Sequence, residues 1–332
     1  LGSKIVSIAQ TIPPRKITNQ YFNDLYNQDL DTFLREKRNI FERYWMNSDQ
    51  ATSDLVTAAA ETALAKAHLT ADQLDLIIVA TDTPDYASPS TASIVQFRLK
   101  AINAGAFDIN AACAGFVTGL TTAHHFLNSQ PNMKNILLVG AYGMSKHLDM
   151  ADYKIASLFA DGAGAVIMQK TEDPNDGVQA TDLWADGQYY DAMGLYGGGT
   201  RAPMTEGVMK EHMHQLKFLR KIPAEFNAFH WPRIVNKICD RAQIRPTDVK
   251  KFFLTQINID SIRQTMQALG LPIERSHNIM DRFGYTGSAC IPMAIADACD
   301  QHLLKKGDWI CLVGSGGGVS MGGALMRWSF DT

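Results

Sequence analysis

Apolar residues fall along this chain in short unbroken runs separated by stretches of helical period. Leu74 to Ala80, Ile136 to Ala141 and Gly164 to Gln169 are nearly continuous apolar runs. Such runs belong to strands covered on both faces, as in a parallel sheet packed between helices. A shorter strand is expected over Lys4 to Ile8 and another over Ala106 to Ile109. Between them, Leu55, Ala58, Ala59, Thr62 and Ala63 recur at helical spacing from Thr52 to Ala67, with Ser53 and Asp54 as N-cap candidates. Pro89 and the serine and threonine after it predict a helix over Thr91 to Lys100, and a further helix runs from Cys113 to about Asn128. Pro13 to Asp49 is polar and mixed, and reads as a short helical excursion rather than core.

The second half repeats the plan. Phe252 to Thr255 corresponds to Leu76 to Val79, Ile310 to Gly314 to Ile136 to Gly140, and Gly322 to Met326 to Gly162 to Val166. A helix beginning near Ser288 takes the place of the helix after Cys113. Two βα halves of the same strand order predict a duplicated α/β fold whose two central helices meet near a pseudo-twofold axis. The polar stretch 171–178 is the expected boundary, dividing the chain into 1–170, which carries Cys113, and 171–332.

Composition narrows the class without choosing a function. The chain has 332 residues, 46% of them hydrophobic, which is ample for a full core, and a net charge of −3 with 20% charged residues. It has no basic run with interleaved aromatics for nucleic acid, and no apolar run near the ~20 residues that a membrane helix needs. Leu1-Gly2-Ser3 lead into the first strand without the pattern of a signal peptide. Five cysteines, Cys113, Cys239, Cys290, Cys299 and Cys311, show no CxxC spacing. A soluble cytoplasmic protein with reduced thiols is expected, with neither a disulfide framework nor a zinc site.

The candidate chemistry lies at 106–120, where an apolar strand passes through small residues into Cys113 and then into a helix. A thiolate at a helix N-terminus is favoured by unpaired N–H groups and the helix dipole, so a lowered pKa is expected there. Taken alone, a cysteine in such a place is more often a small packing residue.

Three stretches in order tip that balance: Asp108-Ile109-Asn110-Ala111-Ala112-Cys113-Ala114-Gly115-Phe116, Phe159-Ala160-Asp161-Gly162-Ala163-Gly164-Ala165, and Gly316-Gly317-Gly318 followed by Gly322-Gly323-Ala324-Leu325. Over almost its whole length the chain resembles the β-ketoacyl-acyl-carrier-protein synthase III family of the thiolase-like superfamily. The resemblance implies a five-layered αβαβα fold and a homodimer. It also implies an acyltransferase that forms a thioester on Cys113 from acyl-coenzyme A or acyl carrier protein, for fatty-acid or related metabolism, with no cofactor. The Cys113 and Gly317 N–H groups would form the oxyanion hole, and Gln256, Asn258, Ser88 and Phe159 would contribute to substrate binding.

Two positions depart from the family pattern. Where the family carries His before Gln-x-Asn, this chain has Thr255 before Gln256-Ile257-Asn258, and where it carries Asn in Gly-Asn-Thr, this chain has Tyr285 in Gly284-Tyr285-Thr286. In the family that pair hydrogen-bonds the extender thioester during loss of CO₂. Losing one such donor costs ~2.7–4 kcal/mol. Thr255 and Tyr285 are the expected stand-ins, and condensation with a malonyl thioester stands beside non-decarboxylating acyl transfer, thioester hydrolysis and a partner-subunit role. Of the nine histidines, His277 is the first candidate for a replacement base. Cys290 could be a second thiol of the thiolase kind, but its small neighbours favour packing. The family's docking arginine beyond Gln-x-Asn is Asp260 here. Lys210, Lys217, Arg220 and Lys221 form a cluster that reads either as a surface for an acidic carrier protein or as a solvated face. Ser88, in place of a bulky residue before Pro89, together with Met144, Met193 and Met204, suggests room for more than an acetyl group.

Overall fold

A computed structural model describes residues 2–332. Its first sheet has the order β1-β7-β6-β4-β5, from strands β1 (Gly2–Thr11), β4 (Leu76–Ala80), β5 (Gly105–Ile109), β6 (Asn135–Gly143) and β7 (Asp161–Thr171). Its second has the order β11-β12-β13-β8, from β8 (Gly177–Ala185), β11 (Lys251–Leu254), β12 (Trp309–Gly316) and β13 (Ser320–Arg327). In each, a parallel pair (β4 with β6, β11 with β12) is followed by two antiparallel neighbours (β6-β7-β1, β12-β13-β8). The strand correspondences read from the sequence are those that repeat here. Two short hairpins complete the strands, β2 (Arg15–Thr18) with β3 (Glu42–Trp45) and β9 (Met193–Gly194) with β10 (Lys217–Phe218).

The unbroken apolar runs follow from the layering. Successive side chains of a strand point to opposite faces. Ile77, Val79, Leu137 and Val139 pack outward under the Thr52–Lys66 helix, against Leu55, Val56, Ala59 and Ala63. Ile78, Leu138 and Val166 point inward to Phe116, Val117 and Leu120 of the Gly115–Ser129 helix. That helix and its counterpart, Cys290–Asp300, occupy the space between the sheets, and the Phe226–Arg241 helix covers the far face of the second. The result is the αβαβα stack.

Small residues set how close the layers come. An added Cβ at Gly140 would run into the Ser288 carbonyl, and one at Gly164 would lie 2.7 Å from Pro292, so the second central helix can rest on β6 and β7 only because neither strand carries a side chain there.

Some sequence expectations need correction. Pro13 to Asp49 is not peripheral: the Phe22 and Leu34 side chains are fully buried, and Trp45 donates from Nε1 to the Phe159 carbonyl at 2.9 Å. Its polarity misleads because buried Arg43 finds partners locally, bonding Asn19 Oδ1 at 2.7 Å and lying over the Phe22 ring. The N-cap of the Thr52 helix is Ala51, whose N–H donates to the Asp54 carboxylate at 2.7 Å, and not Ser53 or Asp54 as expected. The segment between His277 and Tyr285 forms a helical turn, Met280–Phe283.

Replacing Gly140 with alanine is expected to lower stability by about 1–3 kcal/mol, the usual range for overpacking, read as a lower denaturant midpoint at unchanged slope.

Candidate active site

Cys113 lies in the tight turn Ala112–Ala114 that joins β5 to the first central helix, and it is 2% exposed. The end of β12 presses on it from the other half of the chain: Gly316 leaves no room for a Cβ against the Cys113 N–H, and Gly314 packs on the Ala114 backbone. The thiol opens into a cavity of about 250 Å³ whose wall includes Tyr285, Asn258, Asn227, Ser315, Gly316 and Gly317. Arg38 stands in the same wall and in that of an adjoining cavity beside Lys221.

Burial, rather than the helix dipole, governs the thiol. Its pKa is pushed well above the usual cysteine value, first by desolvation and then by the Asp82 carboxylate, while a hydrogen bond from the Tyr285 phenol acts in the opposite direction. The expected low-pKa thiolate is therefore corrected: the dipole of a helix that begins beyond a 3₁₀ turn does not offset removal from water.

Tyr285 is held on every side. Its N–H donates to the Leu158 carbonyl at 3.1 Å and its carbonyl accepts from the Ala160 N–H at 2.9 Å. Its ring packs on Phe159 at 5.5 Å between centroids, and Phe159 in turn holds the Trp45 indole through its carbonyl. Phe159 thus supports Tyr285 from behind and does not line the cavity. Gln256 is also fully buried and outside it. The Gln256 Oε1 accepts from the Ile279 and Met280 N–H groups, and its Nε2 donates to the His277 carbonyl at 3.0 Å, so the side chain fastens the turn that leads to Tyr285.

Thr255 is not brought to the thiol. Its hydroxyl accepts from the Ser315 N–H at 2.9 Å and lies 3.4 Å from the Ser315 carbonyl, tying β11 to the end of β12. A threonine is too short to reach past that neighbour. His277 turns away from the cavity: Nε2 meets Asp297 Oδ2 at 2.7 Å, in a network that also includes Arg282 and Gln301. Among the described residues no histidine lines the cavity beside Cys113. Asn258 lines it while capping the next helix, accepting from the Asp260 N–H at 3.1 Å. Ser88 lies exposed on the loop before the Thr91–Leu99 helix. Cys290 is buried, its thiol pushed up to about 12 by desolvation. The basic cluster is partly neutralised, since Lys217 pairs with Asp149 at 3.0 Å and Arg220 with Asp191 at 2.6 Å.

Asp82 and Asn227 escaped the sequence reading. Asn227 accepts from the Ser315 hydroxyl at 3.2 Å, from a helix with no family motif. Asp82 directly follows the strand run and Thr81, where a carboxylate looks like a loop residue. Its one legible signal is that it sits at the C-terminal end of a parallel strand, beside the strand that delivers Cys113.

Two sheets enclosing paired central helices, with a cysteine at the start of one, define a thiolase-like protein, an enzyme of the acyltransferase class. The family model described as 3-oxoacyl-[acyl-carrier-protein] synthase III matches residues 107–187, and that of its C-terminal part matches 239–328. The chain is 35% identical over 331 residues to the beta-ketoacyl-[acyl-carrier-protein] synthase III of Syntrophomonas wolfei, covering 99% of this chain and 98% of the relative. It is 32% identical over 325 residues to that of Clostridioides difficile, covering 98% of each. The crystal structure of 3-oxoacyl-[acyl-carrier-protein] synthase III from Aquifex aeolicus superposes with a TM-score of 0.88 at 30% identity, over 98% of this chain and 100% of that one. That from Pseudomonas aeruginosa gives 0.91 at 27%, over the whole of both. The chain belongs to the beta-ketoacyl-acyl-carrier-protein synthase III family.

Opposite effects on the thiol are expected from its two polar neighbours. Removing the phenol in Tyr285→Phe takes away a hydrogen bond to a charged group, worth about 1.5–3 kcal/mol, and slows alkylation of Cys113 by iodoacetamide roughly 10- to 100-fold. Asp82→Asn removes a repulsive charge and speeds it. Alkylation rates at mildly alkaline pH, followed by intact mass, check both signs.

Proposed function

We propose that the protein accepts an acyl group from a thioester onto Cys113. The observation that carries this reading is the thiol itself, on the floor of a cavity, with the glycine backbone of the opposite half pressed against it and the Tyr285 phenol directed at its sulfur. In the step proposed, the Cys113 sulfur bonds to the acyl carbon as the bond to the donor's sulfur breaks. The departing thiolate takes the proton that Cys113 gives up, so Cys–SH and acyl–S–R become Cys–S–acyl and R–SH. The negative charge that forms on the carbonyl oxygen is met by the N–H groups of Cys113 and Gly317. Burial makes the free thiol unreactive and strengthens each of these contacts once a substrate has displaced water.

The donor proposed is acyl-coenzyme A or acyl carrier protein, the carrier that the relatives' names contain, within fatty-acid or related acyl metabolism. Arg38 suits the phosphates of either arm: it lines the entrance, and its Nε is buried with no hydrogen-bond partner. We read Asn258 and Asn227 as contacts for the polar amide arm, and the 1–170 and 171–332 segments as two halves sharing one site. The protein is proposed to pair through the exposed edge of β5, beside which Phe97 and Ile102 are 81% and 76% exposed. Exposed apolar residues next to an open sheet edge are the usual mark of a partner.

The fate of the acyl group admits a second reading. The Thr255 O–H is directed at the Ser315 carbonyl and the Tyr285 O–H at the Cys113 sulfur, so neither substituted position holds a free donor for an extender carbonyl. This favours transfer of the acyl group to another nucleophile over condensation with loss of CO₂.

Incubation with acyl-coenzyme A donors and intact-mass measurement is expected to show one covalent adduct, absent in Cys113→Ala; an adduct that survives this substitution removes the nucleophile. Adding malonyl-acyl carrier protein then separates the two continuations, since condensation releases CO₂ and a 3-oxoacyl product whereas transfer does not. For the pairing, Phe97→Asp is expected to halve the mass measured by light scattering; an unchanged mass refutes the β5 edge as the interface.

A further inference from the structure

Beyond the Cys113 cavity, with Met193 and Gly317 in the walls of both, lies a second space of about 260 Å³. Ala112 belongs to its lining, so it begins one residue from the nucleophile. A chain attached to the Cys113 sulfur and directed away from the entrance at Arg38 would pass into it. An acyl cavity for a plain hydrocarbon needs apolar walls, and Met144, Leu195 and Leu216 supply them in part. Asp82, Asn110, Tyr142, Tyr190 and Tyr196 do not fit that purpose.

Two of these polar groups are unpaired. Asp82 Oδ1 and the Tyr196 hydroxyl are buried and have no hydrogen-bond partner among the described residues. Nor does any described lysine or arginine line this space. The Asn110 side-chain oxygen is occupied, accepting from the Ala112 N–H at 3.1 Å. The Asp82 carboxylate has only its own backbone N–H to offset its loss of water, and desolvation pushes its pKa up to about 6. An orphaned acceptor at the far side of a cavity is a demand for a donor that the protein does not supply.

We propose that this cavity selects acyl groups bearing a hydrogen-bond donor, a hydroxyl or an ammonium, with Asp82 as its acceptor and Tyr196 as a second polar contact. The inference rests on the reading of Cys113 as the acyl acceptor and specifies the substrate class of that same site. Discrimination follows from the energetics of unpaired groups. A site built to hydrogen-bond its substrate rejects the analogue lacking that group, because the buried partner is then left desolvated and unpaired. A plain alkyl chain would dehydrate Asp82 and return nothing.

The test compares butyryl-, hydroxybutyryl- and β-alanyl-coenzyme A on the intact protein, with the rate of Cys113 adduct formation followed by mass. At least one of the two donor-bearing groups is expected to load roughly 10-fold or more faster than butyryl, the lower end for a donor to a charged acceptor. Asp82→Leu is expected to raise butyryl loading and abolish that preference. Asp82→Asn, which matches the native side chain in shape and should fold with it, is expected to lose a preference for the ammonium while retaining one for the hydroxyl, which identifies the donor. Equal or faster butyryl loading in the native protein, or a preference unchanged by both Asp82 substitutions, overturns the inference and leaves Cys113 as acceptor. Absence of adduct from all three and from acetyl-coenzyme A removes the acceptor reading itself.

Discussion

The Cys113 sulfur is buried between two sheets and yet borders a cavity, and meeting both conditions governs much of the packing around it. The solution is close backbone approach. Gly314 and Gly316 let the end of β12 rest on the Cys113 turn, and Gly140 and Gly164 let the second central helix rest on the first sheet. Each contact joins residues far apart in the chain, so the thiol environment is assembled only when both halves dock. No local segment could make it alone.

The same logic explains residues that do no chemistry. Gln256 commits three hydrogen bonds to the turn before Tyr285, His277 and Arg282 converge on Asp297, and Trp45 anchors Phe159. Asp297 carries a carboxyl held down at about 2, where burial alone would raise it, because His277 and Arg282 both hydrogen-bond it. A carboxyl lowered in the folded state contributes stability above its unfolded pKa, and the contribution fades as pH falls toward 2. These groups position the Tyr285 loop. A phenol that must meet a sulfur tolerates little displacement, so much of the polar core is committed to holding one ring.

The strands and the two central helices were legible because burial on both faces imposes continuous apolar runs, as in Leu76–Ala80 and Asn135–Gly143. The place of Cys113 was legible because an apolar strand running through small residues into an apolar helix marks a strand-to-helix junction, where the structure puts it. Hidden from the sequence was whatever depends on three-dimensional pairing. The polar stretch 13–49 conceals buried Phe22, Arg43 and Trp45: Arg43 is bonded by Ile17 and Asn19 of the same stretch, and Trp45 by Phe159 far along the chain. The Thr255 hydroxyl could be inferred from its position in a motif, but not that Ser315 consumes it. Asp82 carries no motif at all; only the closing of a cavity around it distinguishes it from any loop carboxylate.

The electrostatics of the site join its two cavities into one device. The Cys113 thiol is held protonated by desolvation and by repulsion from Asp82, and the Tyr285 phenol alone among its polar neighbours' side chains favours the thiolate. A ligand that donates to Asp82 withdraws part of that repulsion, and an ammonium replaces it with attraction. On the proposed reading, occupancy of the second cavity by a fitting acyl group would lower the cost of forming the sulfur anion as the thioester carbonyl arrives. An alkyl chain offers Asp82 no donor, and so leaves the cost of desolvating it uncompensated. On that reading, substrate recognition and nucleophile activation would share one Coulombic interaction, that between Asp82 and the Cys113 sulfur.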